Sequence, residues 1–233
     1  MNAIRDALQG VRNHIIAAAE ACGRTPAEIQ LLAVSKTFPA EAIRDAWAAG
    51  QRAFGENYVQ ELAGKCEALQ DLPVEWHFIG PLQSNKTRII AEHAHWIHSV
   101  DRLKIAERLS AQRPAGMPPL NVCLQVNISQ EDSKSGVNVA DVLPLAHAIA
   151  KLPGLTLRGL MCIPAPSQDP AQQRRPFAAL KQLLSQLQAE GLAVDTLSMG
   201  MSSDMVSAIE EGATIVRVGT AIFGARHYPG ASA

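Results

Sequence analysis

The stretch LLAVSKTFPAEAIRDAWAAG, residues 31–50, contains one complete strand-and-helix unit. Its first four residues form a short, continuous apolar run, which is typical of a strand buried on both faces. A helical pattern follows from about Pro39 to Ala49, and Gly50 suits the C-terminal cap of that helix. The stretch therefore predicts a β-strand that leads directly into an α-helix.

The same unit recurs along the rest of the chain. Further apolar runs, each followed by a helical pattern, lie at residues 52–54, 76–79, 96–97, 121–128, 155–161, 194–198 and 214–218. Apolar strands that alternate with helices predict an α/β fold with a parallel sheet covered on both faces. Eight units favour a closed (β/α)8 TIM barrel. An open, doubly wound sheet is the alternative, because periodicity does not determine closure.

The ends of the chain differ from this repeating pattern. Residues 1–24 predict an additional N-terminal helix, since Ile4, Leu8, Val11 and Ile15 recur at helical spacing. No linker rich in Gly, Pro or Ser divides the sequence, so residues 1–233 are predicted to form a single domain. Residues 227–233 are predicted to be a mobile tail, and residues 113–119 and 164–176 to be flexible loops.

Composition excludes several classes of function. The 233 residues are 47% hydrophobic and 18% charged with a net charge of −1, so no overall basic field attracts nucleic acid or an anionic membrane. No apolar run is long enough to span a bilayer, and no leader with a cationic n-region opens the chain. The expectation is a cytoplasmic, monomeric protein, whose reduced thiols are the four widely spaced cysteines Cys22, Cys66, Cys123 and Cys162.

A reactive lysine follows the first predicted strand. In parallel barrels the functional site lies at the C-terminal ends of the strands, which is where Lys36 stands. A lysine at the edge of an apolar interior loses hydration, and this favours the neutral, nucleophilic amine. From position alone, a solvated lysine at a strand end is the more common alternative.

Two loops near the other end of the chain suit a phosphate group. Residues 199–204, MGMSSD, follow the seventh strand, and residues 217–221, RVGTA, follow the eighth. Glycine permits close backbone approach, free amides at a helix start bind phosphate, and barrels commonly hold phosphate at these two loops. The alternative is a pair of ordinary helix starts capped by Ser202 and Thr220.

Arg217 offers a second interaction with a ligand. A guanidinium group stays protonated and only donates hydrogen bonds, so it would keep a facing pyridine nitrogen unprotonated and the ring a weak electron sink. As an alternative, Arg217 pairs with Glu210 or Glu211.

Two other groups of residues are weaker candidates for a site. Three histidines, His93, His95 and His98, are numerous enough for zinc but straddle a predicted helix end and strand, so we expect no metal site. Lys134 lies in a charged loop after the fifth strand and is expected to be solvated; the alternative is that this loop reaches the mouth of the site.

Several longer motifs resemble the pyridoxal phosphate homeostasis proteins of the YggS/PROSC type. They are residues 33–37 (AVSKT), 54–61 (FGENYVQE), 77–80 (HFIG), 83–86 (QSNK), 159–161 (GLM), 199–202 (MGMS) with Asp204, and 216–224 (VRVGTAIFG). The resemblance extends from about residue 31 to Arg226 and is highly specific.

The resemblance implies a barrel like the N-terminal domain of alanine racemase, with pyridoxal 5′-phosphate (PLP) held as a Schiff base on Lys36. Arg217 would face the pyridine nitrogen, and Asn57 and His77 would line the pocket near the ring. The phosphate would lie on the two loops, at Met201, Ser202, Gly219 and Thr220.

The family is described as carrying PLP and maintaining vitamin B6 balance without an established catalytic activity, with apo-forms of PLP enzymes as candidate recipients. The alternative is a racemase-like enzyme. Racemisation needs acid/base groups on both faces of the substrate carbanion, and in alanine racemase the second is a tyrosine from another domain. This chain has only Tyr58 and Tyr228, so the carrier function is favoured and no catalytic residue is assigned.

Overall fold

A computed structural model of the protein describes residues 3–129 and 135–225. It contains a closed barrel of eight parallel strands in sequential order, in which the last strand pairs with the first. The closure confirms the TIM barrel and excludes the open sheet. The strands are β1 Gln30–Val34, β2 Ala53–Glu56, β3 Glu75–Phe78, β4 Trp96–Val100, β5 Leu120–Gln125, β6 Leu155–Met161, β7 Thr196–Ser198 and β8 Ile215–Val218.

Helices surround the barrel, and the first of them is the predicted N-terminal addition. It spans Ala3–Ala21 and packs against the second, eighth and ninth helices. Within the described ranges the α-helices are α1 Ala3–Ala21, α2 Ala40–Ala48, α3 Val59–Ala68, α4 Thr87–His93, α5 Leu103–Gln112, α6 Val142–Ile149, α7 Pro170–Ala189, α8 Met205–Glu210 and α9 Thr220–Phe223. The predicted tail, residues 227–233, lies outside the described residues.

One of the two predicted loops is largely helical. Residues 170–176 form the first two turns of α7, so the flexible loop predicted over 164–176 is wrong for that half. Asp169 caps the helix by accepting a hydrogen bond from the backbone of Ala171, and Pro170 occupies the first turn, where no amide donor is needed. Pro170 therefore fits a helix start, whereas Pro176 lies inside the helix.

Side chains alternate between the barrel interior and the layer under the helices. The large outer side chains Phe54, Phe78 and Phe177 are fully buried between strands and helices. The inner positions are mixed: apolar residues such as Leu32 and Met161 form a small cluster, while other inward-facing positions carry charged or polar groups. Across residues 3–129 and 135–225, no helix is both long and apolar enough to cross a membrane.

Candidate functional site

A cavity of about 280 Å³ opens at the C-terminal ends of the strands. This size is near the lower end for small-molecule sites, roughly 300–1,000 Å³. Its lining joins the first strand end to the loops after β7 and β8, with contributions from the ends of β2, β3 and β6. The lining residues are Val34, Lys36, Asn57, Ile79, Ile163, Met201, Ser202, Ser203, Arg217, Gly219 and Thr220.

Lys36 lies in a turn that the residues around it hold firmly. The next residue, Thr37, has φ 68°, a left-handed conformation that a β-branched residue rarely adopts. Its backbone amide donates to Glu61 Oε2 at 2.8 Å. On the other side of Lys36, the buried Ser35 donates through its hydroxyl to Glu56 Oε1 at 2.6 Å. These contacts fix the backbone that carries the lysine.

A buried lysine completes this support. Lys65 Nζ donates to Ser35 O at 2.8 Å, to Glu56 Oε1 at 2.7 Å and to Glu61 Oε2 at 3.2 Å. Burial raises the pKa of Glu56, while the ion pair with Lys65 acts in the opposite direction. Lys65 was not predicted from the sequence, although its spacing from the buried Leu62 in α3 places it on the inner face of that helix.

The loop after β7 is shaped by a tight turn rather than by a helix cap at Ser202. The carboxylate of Asp204 accepts a hydrogen bond from the amide of Met201 at 2.7 Å. Gly200 has φ 95°, and a Cβ atom there would lie 2.6 Å from the side chain of Ala208. Ser202 makes no cap and lines the cavity instead.

The loop after β8 packs against the strand that leads to Lys36. A Cβ atom on Gly219 would lie 3.1 Å from Val34 O, so only glycine allows this approach without displacement. Gly219 precedes α9, and Thr220 is its first residue. The short distance brings the predicted phosphate loop and the Lys36 strand to one wall of the cavity.

Arg217 reaches the cavity from inside the barrel. Its Nη1 donates to Ser198 Oγ and its Nη2 to Cys162 O, each at 2.9 Å. Glu210, one alternative partner, pairs instead with Arg174 on the outer surface at 3.1 Å. The contacts described for Arg217 include none to Glu211, the other alternative. Burial lowers the pKa of Arg217 from its ordinary value, but a guanidinium remains protonated in proteins.

Asn57, which lines the cavity, carries an unsatisfied acceptor. Its Oδ1 is buried and has no hydrogen-bond partner in the described structure. Its backbone passes so close to Gly80 that a Cβ atom at position 80 would lie 2.0 Å from Asn57 O. A buried polar atom without a partner is costly and often indicates that a ligand supplies the partner.

His77 is not among the lining residues. It is fully buried in the barrel, where Nδ1 hydrogen-bonds His98 Nε2 at 2.8 Å and Nε2 bonds Glu75 Oε1 at 2.6 Å. His98 Nδ1 in turn bonds Ser198 Oγ at 2.7 Å. His77 is therefore three hydrogen bonds away from Arg217 rather than beside the cavity.

The histidine cluster does not converge. His93 ends α4, His95 accepts a hydrogen bond from the backbone of Trp76 outside the barrel, and His98 points inward. Among the described residues no group of three His, Cys, Asp or Glu side chains is arranged to hold a metal. Lys134 lies outside the described residues.

Four lining residues were not predicted as site residues: Val34, Ile79, Ile163 and Ser203. Val34 and Ile79 are the last residues of predicted strands, Ser203 lies within a predicted phosphate loop, and Ile163 lies two residues beyond a predicted strand. The strand-end rule therefore identifies the region but not the individual side chain. The three apolar residues form a hydrophobic part of the cavity wall, and Ser203 adds a hydroxyl group.

Comparisons with known proteins agree with this geometry. Residues 8–227 match the family described as alanine racemase, N-terminal domain. The chain is 61% identical over 228 residues to a pyridoxal phosphate homeostasis protein of Pseudomonas aeruginosa, and the alignment covers 98% of both chains. The corresponding Escherichia coli protein is 56% identical over 231 residues, covering 98% of this chain and 99% of that protein.

A solved structure extends the comparison to three dimensions. The structure of PipY from Synechococcus elongatus with PLP bound superimposes with a TM-score of 0.83 at 42% identity, covering 95% of this chain and 100% of PipY. The chain therefore belongs to the family of pyridoxal phosphate homeostasis proteins.

Proposed function

We propose that this protein binds PLP in the cavity at the C-terminal ends of its strands and maintains the cellular pool of that cofactor as a carrier. The observation that supports this most strongly is the single cavity lined by both Lys36 and Arg217 together with the loops after β7 and β8. The family membership adds weight, because a relative has a solved structure with PLP bound.

The residues present fit the cofactor. Two cations and no carboxylate stand among the described lining residues, which suits a ligand with a negatively charged phosphate. Ser202, Gly219 and Thr220 line the part of the cavity that we assign to the phosphate, while the amide of the neighbouring Met201 already donates to Asp204. The unpaired Oδ1 of Asn57 is an acceptor for a polar group of the ligand.

Lys36 holds the cofactor covalently in this proposal. Its amine condenses with the PLP aldehyde, so a C=N bond forms and the aldehyde oxygen leaves as water. Arg217, which only donates hydrogen bonds, faces the pyridine nitrogen and keeps it unprotonated. Bound PLP supplies an electron sink, and this pairing makes it a weak one.

Borohydride trapping tests the covalent site. The purified protein is expected to be yellow, and borohydride should fix a pyridoxyl group on the peptide that contains Lys36. Lys36→Ala should lose that label while it retains weaker binding through the phosphate loops. A label found on Lys86 or Lys134 alone would overturn the assignment.

The second part of the proposal is that the protein is not a catalyst of amino-acid chemistry. Among the described lining residues, Lys36 and Arg217 are the only titratable groups, so none of them supplies an acid or base opposite Lys36. Tyr58 is 54% exposed and outside the lining, and Tyr228 lies outside the described residues. This arrangement supports a carrier rather than a racemase.

Isotope exchange and cofactor transfer separate the two functions. We expect very slow loss of the α-proton of alanine or serine in deuterated water, while mixing with an apo-enzyme restores that enzyme's activity. Turnover of a common amino acid at about one per second or faster would favour the racemase-like alternative.

The cellular compartment and the oligomeric state of the protein are also part of this proposal. We infer a cytoplasmic monomer, and the four cysteines, all of which are free thiols, support a reducing compartment. Sedimentation equilibrium of the holoprotein should give the mass of one chain, and a stable dimer would contradict the inference.

A further inference from the structure

A row of hydrogen-bonded side chains crosses the barrel interior below the cavity. It runs from Arg217 on β8 through Ser198 on β7 and His98 on β4 to His77 and Glu75 on β3, with successive distances of 2.9, 2.7, 2.8 and 2.6 Å. We call these five residues the hydrogen-bond relay. TIM barrels usually fill this space with branched apolar side chains, so its presence calls for a function.

The relay has one consistent direction. Nearly every member is shielded from water: Ser198, His98 and His77 are 0% exposed and Arg217 is 4% exposed. The guanidinium at one end only donates and the carboxylate of Glu75 at the other only accepts. With both imidazoles neutral, His77 donates from Nε2 to Glu75, His98 donates from Nε2 to His77, and Ser198 donates its hydroxyl proton to His98.

The charges around the relay support this assignment. Burial lowers the pKa of His77, and it lowers that of His98 well below the ordinary value, with His77 and Arg217 acting in the same direction. The hydrogen bond from His77 lowers the pKa of Glu75 to about 2. The two imidazoles are thus neutral and the carboxylate is ionised near neutral pH.

We propose that His98 and His77 are positioning residues for Arg217. Because Ser198 gives its only proton to His98, its lone pairs are directed at the guanidinium, and the carbonyl of Cys162 holds the other side. The relay thereby fixes which N–H groups of Arg217 face the cavity. The identity of the ligand that benefits rests on the proposed function above, but the direction of the relay does not.

The Glu75 end of the relay lies next to a second cavity. Gln30 donates to Glu75 Oε1 at 3.0 Å, and Gln30 lines a cavity of about 400 Å³ beneath α1 at the opposite end of the barrel. The ring of His77 is held flat against Trp96, with centroids 5.4 Å apart and planes 4° from parallel. Contacts outside the relay therefore hold both of its ends: Gln30 and Trp96 at the Glu75 end, and the Cys162 carbonyl at the Arg217 end.

Two substitutions at one position test the mechanism. His98→Asn retains an acceptor where Nδ1 meets the Ser198 hydroxyl, whereas His98→Leu removes it. We expect His98→Leu to raise the dissociation constant for PLP by about tenfold or more, since the Ser198 hydroxyl can then rotate and no longer fixes the guanidinium of Arg217. His98→Asn should raise it by less than about threefold.

Three further variants control for lost stability and test whether His98 acts on Arg217 through Ser198. Leu109→Ala opens a buried apolar site on α5 outside the relay and should leave PLP affinity unchanged despite a comparable loss of stability. Ser198→Ala and the double variant Ser198→Ala/His98→Leu should bind PLP equally weakly, because both interrupt the same contact to Arg217. Equal weakening by His98→Asn and His98→Leu, or additive effects in the double variant, would overturn the proposal.

A measurement without PLP makes the result independent of the proposed function. Nitrogen NMR of the histidine rings in the cofactor-free protein should show His98 and His77 as neutral Nε2–H tautomers from pH 6 to 8. A proton on His98 Nδ1 would refute the relay even if PLP binds. If His98 and His77 are both Nε2–H tautomers in the wild-type protein but that protein fails to bind PLP, the proposed function alone is refuted.

Discussion

Replacing Lys65 by methionine tests how the lysine-bearing turn is supported. Among residues 3–129 and 135–225, Lys65 is the only cation paired with Glu56, whose carboxylate is 0% exposed. The substitution keeps the length of the side chain but removes its charge and its three hydrogen bonds. It also withdraws the donor from Ser35 O, next to Lys36.

The expected loss is large at high pH. Breaking a buried ion pair by removing one partner costs roughly 3–5 kcal/mol. In a protein of 233 residues this corresponds to a fall in melting temperature of roughly 6–20 °C. The 32% exposure of the Glu61 side chain means that its own contact adds little.

The loss should shrink in acid. Burial already raises the folded-state pKa of Glu56 above its unfolded value, and Lys65 is the main influence that lowers it. Without Lys65 that pKa rises further, so the folded variant retains a proton that the unfolded chain releases. Such a group costs no stability below the unfolded pKa, and the cost grows as pH rises toward the folded pKa. Lys65→Met should therefore be less destabilising at pH 5 than at pH 8.

Denaturant unfolding at the two pH values is the assay. Lys104→Met, on the exposed face of α5, controls for the loss of a lysine and should change stability by less than ~0.5 kcal/mol. Adding Glu56→Gln to Lys65→Met should restore much of the loss, because no buried charge is left unpaired. An equal loss at both pH values, or no recovery in the double variant, would refute the reasoning.

Smaller perturbations around the cavity test the remaining parts of the site. Ser202→Ala should weaken PLP binding only a few-fold and Gly219→Val far more, since in the proposed site backbone amides rather than the hydroxyl hold the phosphate; equal losses in titrations of folded variants would contradict this. Thr37→Asn should raise the free energy of unfolding by about 1 kcal/mol, because Asn tolerates the left-handed conformation better; an unchanged melting curve would exclude strain. Cys22 should react at once with a thiol reagent at pH 8, whereas Cys162, whose pKa burial raises to about 12, should react only on unfolding.

Much of the fold follows from local patterns in the sequence. Apolar runs and glycine caps identify all eight strands, because a parallel strand buried on both faces leaves a continuous signal. Residues 164–176 were harder: proline and polar residues are typical of loops, yet Pro170 behind the cap of Asp169 begins α7. The local signal is the same for a loop and for a helix start.

The site was predictable in position but not in depth. Lys36, Arg217 and Gly219 lie where the strand-end rule expects them, since parallel strands end at one edge of the barrel. His77 obeys the same rule in sequence but lies below the cavity, because depth depends on the stagger between strands and on which partners meet across the interior. In sequence, His98 is 21 residues from His77, and Ser198 is 100 residues from His98. No local sequence pattern predicts contacts between residues so far apart.

The two cationic groups of the cavity are each backed by a buried polar arrangement on a different side. Lys36 stands on the turn held by Lys65 and Glu56, and Arg217 stands on the hydrogen-bond relay. Buried ion pairs and polar rows stabilise a fold less than apolar packing of the same volume, so stability alone does not account for either. Both arrangements do restrict where a positive charge lies before any ligand arrives. Preorganisation of this kind lowers the cost of binding an anionic ring, and a carrier needs tight, oriented binding rather than groups that move protons during a reaction.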